Sequence, residues 1–134
     1  MEYGIIIGSI FAAYIIGSIP TGYILVKLVK RIDIRTVASG STGATNVKRV
    51  LGLKGFITTM LLDAFKGFIP VVAAKIIAVK LGIFSGLAPL VALAVLLGHS
   101  KSIFLNFTGG KSVASGGGTI IGLNWQVGLL GFAI

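Results

Sequence analysis

Residues 107–118 read FTGGKSVASGGG. Gly109, Gly110, Lys111 and Ser112 set two flexible positions, a cation and a hydroxyl side by side, just ahead of an apolar run that begins at Val113. The first N–H groups of a helix lack intrahelical partners and carry about half a positive charge, so a helix starting here offers donors and a lysine to an anion. The tripeptide Gly110-Lys111-Ser112 matches the end of a nucleotide-binding P-loop. That loop needs a glycine five positions before its last one, where Leu105 stands, and a strand rather than an apolar helix ahead of it. With no acidic magnesium ligand nearby either, a different anion is expected.

A second segment repeats the recipe. VASGSTGATNVKRVLG, residues 37–52, interleaves Ser39, Gly40 and Gly43 with Ser41, Thr42, Thr45 and Asn46, and then brings Lys48 and Arg49. Glycine permits the positive φ with which successive N–H groups form an anion nest. The same hydroxyls also suit a helix N-cap at Ser41 or Thr42. Gly43, Thr45 and Asn46 in this segment, with Gly109, Gly110, Lys111 and Ser112 in the other, are the candidate substrate-binding residues. Two such turns on one membrane face fit two phosphates, or one phosphorylated substrate meeting another. Gly116–Gly118 are read instead as close helix packing.

The elements that carry these segments are membrane helices. The chain has 134 residues, 55% of them hydrophobic, and no cysteine, so disulfides and thiolate-ligated metals are excluded. Its mean hydropathy of +1.04 is too high for a soluble domain of this size. Twelve Lys and Arg against three Asp and Glu would suit nucleic acid in a soluble protein, but beside apolar runs they mark cytoplasmic loops, and no nucleic-acid partner is expected. Residues 3–26 are free of formal charge; at about 1.5 Å per residue they outreach the roughly 30 Å hydrocarbon core. Further spans are expected near 55–79, 81–98 and 113–134, the chain stopping within the last. No basic n-region precedes the first, which reads as a retained helix and not a signal peptide.

Residues 27–54 hold Lys27, Lys30, Arg31, Arg35, Lys48, Arg49 and Lys54 against Asp33 alone, and residues 99–112 add Lys101 and Lys111. Four spans place both basic loops on one side, which is cytoplasmic, with the N-terminus outside. Lys75 and Lys80 lie toward the other side and are expected to snorkel. The fold expected is thus all-α: one polytopic integral membrane bundle of about four helices over residues 1–134.

Asp63 and Lys66 stand three apart on one helix face inside the second apolar run. A charge in hydrocarbon is expensive, so a structural ion pair is the preferred reading, with a substrate contact by Lys66 as the alternative. His99 reads as an interfacial loop histidine. The His-x4-Asp device of many glycerolipid acyl-transfer enzymes would require Asp where Phe104 stands. One histidine and three scattered acids do not compose a metal site, and no cofactor is implied. An enzyme built from these residues has little base and much positive charge, which suits transfer from an already activated donor.

Four stretches carry a family resemblance: GSIPTGY at 17–23, DIRTVASGSTGATNVKRVLGLKG at 33–55, LDAFKG at 62–67 and GHSKSIFLNFTGGKSVAS at 98–115. Together they resemble the bacterial acyl-phosphate:glycerol-3-phosphate acyltransferases, the PlsY family of the inner membrane. The resemblance implies transfer of a fatty acyl group from acyl phosphate to the 1-hydroxyl of glycerol 3-phosphate, giving lysophosphatidic acid and phosphate beside membrane lipid. It also implies that Ser39 and Arg49 are the catalytic pair and that Gly109-Gly110-Lys111 is the glycerol 3-phosphate turn. Where the family pattern has Gly-Ser-Gly-Asn this chain has Ala38-Ser39-Gly40-Ser41, and Thr108 and Ser112 replace a lysine and a glycine around Gly-Gly-Lys. Family members continue into a further cytoplasmic segment with His, Asn and Glu that nothing here matches, so the chain reads as lacking it. A small anion channel or transporter subunit is the competing reading of four spans with basic loops at one mouth.

Overall fold

In lipid each backbone polar group must find its partner within the protein, which leaves helices or a closed barrel, and continuous apolar runs without alternation take the helix. A computed structural model of the chain describes residues 1–133, and among them no strand forms; one isolated bridge joins Ser102 and Thr108. The helices are α1 (Glu2–Ser18), α2 (Thr21–Lys30), α3 (Ala44–Leu81), α4 (Leu87–Ser100), α5 (Val113–Leu123) and α6 (Trp125–Ala133), with short 3₁₀ turns at Ile34–Thr36 and Ile103–Leu105.

Two glycine seams hold the bundle. A side chain at Gly17 of α1 would run into the Val95 carbonyl of α4, and one at Gly98 of α4 into the Tyr14 carbonyl of α1. The same reciprocity joins α3 to α5, Gly67 meeting the Ser115 carbonyl and Gly118 the Ala64 carbonyl. Small residues that let backbones touch are how helices associate where lipid removes the hydrophobic drive between them. The interior accordingly consists of Ala13, Val71, Ala74, Val91, Ala92, Val95 and similar small side chains, while Phe65, Ile69 and Leu93 are more than half exposed, at 55%, 58% and 59%. Large apolar groups face outward, as a lipid solvent requires.

The helix limits differ from the four expected spans in ways that matter for the site. The first run is broken at Ile19-Pro20. Proline has no N–H and disfavours helical geometry before it, and Ile19 takes ψ 112. Among the described residues, Glu2–Lys30 is still the helical stretch long and apolar enough to cross a membrane by length and composition. The second span lies in α3, which begins at Ala44 but is broken at Gly52, at φ 72 and ψ -161, so that a short helical arm precedes the long one and the long one starts close to the expected 55. The N-cap of α3 is Gly43 and not Ser41 or Thr42, so Thr45, Asn46 and Arg49 are helical. The third begins at Leu87, because residues 82–86 form the turn, and runs through His99 to Ser100.

The last run, 113–134, is not one helix. The Asn124 side chain accepts the N–H groups of Gln126 and Val127 at 3.0 and 3.2 Å and so starts a new helix, which turns back until Gly128 lies against Ile121 and Phe132 against Gly117. Residue 134 lies outside the described residues. Of the three glycines assigned to packing, Gly118 meets α3 and Gly117 meets α6, while Gly116 has only Leu96 within reach, at 3.9 Å. Lys75 donates to the Gly122 and Leu123 carbonyls at 3.2 and 3.1 Å, capping the end of α5 instead of only snorkelling.

Candidate functional site

The second turn is tied to the end of α4 before it opens toward anything else. Ser102 N–H donates to the Thr108 carbonyl at 3.1 Å, Phe107 N–H to the Ser102 carbonyl at 2.7 Å, and Gly110 N–H to the His99 carbonyl at 3.1 Å. Ser102 Oγ anchors the assembly to α1 through the Ser18 carbonyl at 2.5 Å. Ser112, at φ 59, is the N-cap of α5, but its hydroxyl donates to the Leu96 carbonyl at 3.2 Å and leaves the α5 N–H groups without a side-chain cap.

The first turn is held by Asn46. Only 1% exposed, it donates from Nδ2 to the Val37 and Ser41 carbonyls at 3.0 and 2.9 Å, and more weakly to Ile34 at 3.4 Å. Its Oδ1 accepts from Arg49 Nη1 at 3.3 Å. With its amide engaged in this way, Asn46 positions the loop. Outside the helices, Asp33 N-caps the Ile34–Thr36 turn and binds Arg35 at 2.7 Å. The Arg35 hydrogen bond lowers the Asp33 carboxyl below its ordinary range, and the same contact raises Arg35.

These two loops arrive at one cavity of about 390 Å³. Ser41, Gly43, Ala44 and Thr45 line it from the first loop and the start of α3, and Lys111, Ser112, Val113 and Ala114 from the second turn and the start of α5. Two helix N-termini without side-chain caps therefore border the same space as a lysine. Phe56, Met60, Leu61 and Phe132 form the apolar wall, which suits a ligand that is anionic at one end and hydrocarbon at the other.

Asp63 and His99 also line the cavity, buried at 1% and 6% exposure. Lys66 Nζ lies 2.8 Å from Asp63 Oδ1 and 2.8 Å from the Ile19 carbonyl, the acceptor freed by the break before Pro20. Thr21 Oγ1 donates to the same carboxylate oxygen, and His99 Nδ1 stands 3.7 Å from it. Lys66, itself buried, is not among the lining residues, so its charge serves the interior.

Of the expected site residues, Gly43, Thr45, Lys111 and Ser112 reach the cavity wall; Gly109 and Gly110 lie behind it, against His99. Ser39 is exposed on the first loop, its Oγ accepting the Ser41 N–H at 3.4 Å, and Arg49 is exposed on α3 beyond Asn46. Neither lines the cavity itself. His99 is buried at the centre, not at an interface, and Thr21 joins the Asp63 group; sequence spacing pointed to neither. A hydroxyl directly after the Pro20 break, opposite a helix carrying an intramembrane acid, is the signal that could have found Thr21.

Residues 7–134 match the family model described as glycerol-3-phosphate acyltransferase. The chain is 46% identical over 138 residues to the glycerol-3-phosphate acyltransferase of Trichormus variabilis, covering 93% of this chain and 61% of that protein. It is 42% identical over 134 residues to that of Acholeplasma laidlawii, covering 96% and 58%. Among solved structures it resembles PlsY, an integral membrane glycerol 3-phosphate acyltransferase. The glycerol 3-phosphate form aligns with a TM-score of 0.86 at 39% identity, and the lysophosphatidic acid form with 0.82 at 36%, each over 96% of this chain and 62% of the other. The chain thus spans about three fifths of the length of the proteins it matches.

Proposed function

Because the chain belongs to the glycerol-3-phosphate acyltransferase family, we propose that the whole protein transfers a fatty acyl group from acyl phosphate to the 1-hydroxyl of glycerol 3-phosphate. The observation that carries this reading is the convergence of two uncapped helix N-termini and Lys111 on one cavity with an apolar wall. Phosphate favours such N-termini, and the acyl chain favours the Met60, Leu61 and Phe132 side. The solved relatives in glycerol 3-phosphate and lysophosphatidic acid forms support glycerol 3-phosphate as the acceptor and lysophosphatidic acid as the product.

In this reading the hydroxyl oxygen attacks the acyl carbon, the bond from that carbon to phosphate oxygen breaks, and phosphate leaves with the electron pair. The hydroxyl proton ends on phosphate, so no enzyme base is consumed. Lys111 neutralises phosphate oxygens, Arg49 swings from Asn46 to add a bidentate contact, and Ser39 at the rim donates to a substrate oxygen. Held together, the reactants gain the advantage of proximity. Gly43, Thr45 and Ser112 complete the polar end, and no metal or cofactor takes part. The protein lies in the bacterial cytoplasmic membrane as a multi-pass bundle, with both turns at the cytoplasmic face, the N-terminus outside, and membrane lipid around its outward apolar side chains.

The test is acyl transfer in detergent by the full-length protein, given labelled glycerol 3-phosphate and palmitoyl phosphate. Lysophosphatidic acid should form, and Lys111→Ala and Arg49→Ala should each lower turnover by on the order of 100-fold. Anion flux in liposomes without product would instead favour a channel, and unchanged rates in both variants would remove the assigned roles.

A further inference from the structure

Gly109 and Gly110 are glycine for a reason that the anion-nest idea does not supply. Neither has a positive φ, so backbone conformation would accept a side chain at either. A side chain at Gly109 would strike the His99 carbonyl and the backbone of Ser100, and one at Gly110 would strike His99 Nε2. With the Gly110 N–H on the His99 carbonyl, the turn rests on this one residue, through its backbone and through its ring.

The ring in turn has a fixed orientation. His99 Nδ1 is buried, has no hydrogen-bond partner, and faces Asp63 Oδ1 at 3.7 Å. The carboxylate cannot turn away easily, because Thr21 Oγ1 and Lys66 Nζ both hold that oxygen. A lone pair on Nδ1 would be repelled by it, whereas an N–H would be attracted. The tautomer is therefore set by the group beyond the nitrogen, as in other histidines with a carboxylate behind them.

We infer that Asp63 holds His99 as the Nδ1–H tautomer, and that the imidazole so fixed is the seat of the Gly109–Lys111 turn, making His99 a positioning residue for the phosphate that Lys111 binds. The role in phosphate binding rests on the function proposed above; the tautomer and the seat do not. The structure thereby links the ion group between α2, α3 and α4 to the cation at the cavity wall.

His99 is the one histidine of residues 1–134, so in ¹⁵N-histidine-labelled protein in detergent micelles its pair of ring signals is the pair that His99→Ala removes. The expected result is a proton on Nδ1 and none on Nε2 in the ligand-free wild type, with Asp63→Asn shifting the population toward Nε2–H. A wild type carrying its proton on Nε2 overturns the tautomer.

The seat is tested by size. Gly110→Ala should weaken glycerol 3-phosphate binding by about tenfold in a calorimetric titration, and Gly110→Ala with His99→Ala should bind no worse than His99→Ala alone, since the new methyl then occupies vacated space. In the transfer assay His99→Ala should raise KM for glycerol 3-phosphate by about tenfold while kcat stays within about threefold. Losses that multiply in the double variant overturn the seat. If the wild type fails to bind glycerol 3-phosphate, the proposed function falls, while the tautomer and the same non-additivity read from thermal unfolding still decide the seat.

Discussion

Residues 37–46 and 107–112 mix glycine, hydroxyl and polar side chains in similar proportion, yet the chain is held by different physics in each. In the first, Gly40 lies at φ 70 beside Ala38 at φ 42, so the turn uses left-handed backbone, and the neutral amide of Asn46 gathers its carbonyls from below. In the second, left-handed backbone falls on Phe107 and Ser112, at φ 61 and 59, while Gly109 and Gly110 have ordinary φ and are squeezed against His99, which faces a buried carboxylate paired with a buried ammonium. A glycine in a binding turn can thus serve conformation or contact. The first kind tolerates residues that accept left-handed geometry, and the second tolerates nothing with a Cβ.

The foundations should rank accordingly. Asp63→Ala leaves Lys66 buried without its partner, for which a loss of about 3–5 kcal/mol is expected. Asn46→Ala removes the amide from two well-placed carbonyls and should cost about 1–3 kcal/mol. Thermal or denaturant unfolding in micelles reads both, and an Asn46 variant less stable than the Asp63 variant would reverse the contrast. Lys66→Met alone does not discriminate, because it strands Asp63 in the same way.

The turns themselves can be separated with asparagine, which accepts positive φ better than other side chains. Gly40→Asn should be milder than Gly40→Ala, for which strain of roughly 1–2 kcal/mol is expected; part of that survives in both because a Cβ there lies 3.0 Å from the Arg35 carbonyl oxygen. Gly109→Asn should be at least as damaging as Gly109→Ala, an overpacking of about 1–3 kcal/mol against backbone that cannot rotate away. If asparagine rescues Gly109 as well, the second turn is conformational after all.

The sequence made the helical membrane class and the two turns legible, because a long uncharged run and a glycine-lysine cluster are local signals. It hid the limits of the helices for reasons equally local. No charge interrupts the run across Asn124, so only the capping side chain reveals that α6 turns back. Polar composition from Ala44 to Lys54 resembles a loop, yet Asn46 and Val47 bury one side of a helix there. Spacing marked Asp63 and Lys66 as sharing a face. The partners Thr21 and His99 come from α2 and α4, and no single-helix pattern could bring them together. The hydrogen bonds of Asn46 were hidden similarly, since an amide in a glycine-rich segment looks available until the carbonyls around it are counted.

The smallest effect lies outside both turns, where Asp33 and Arg35 close the 3₁₀ turn that leads into the first of them. The hydrogen bond from Arg35 lowers the Asp33 carboxyl, so the folded chain binds that proton less readily than the unfolded chain does. Its contribution is therefore complete above the ordinary carboxylate range near 3.8 and is lost as pH falls below it. Both side chains are partly exposed, at 27% for Asp33 and 33% for Arg35, so solvent screening limits the pair to about 0.2–1 kcal/mol. Asp33→Asn should lower stability by that amount at neutral pH and by progressively less as pH falls through the lowered value of the folded carboxyl, measured as paired unfolding curves. A difference that persists undiminished in acid would mean that Asp33 acts through packing and not through its charge, since asparagine can also accept the Arg35 N–H.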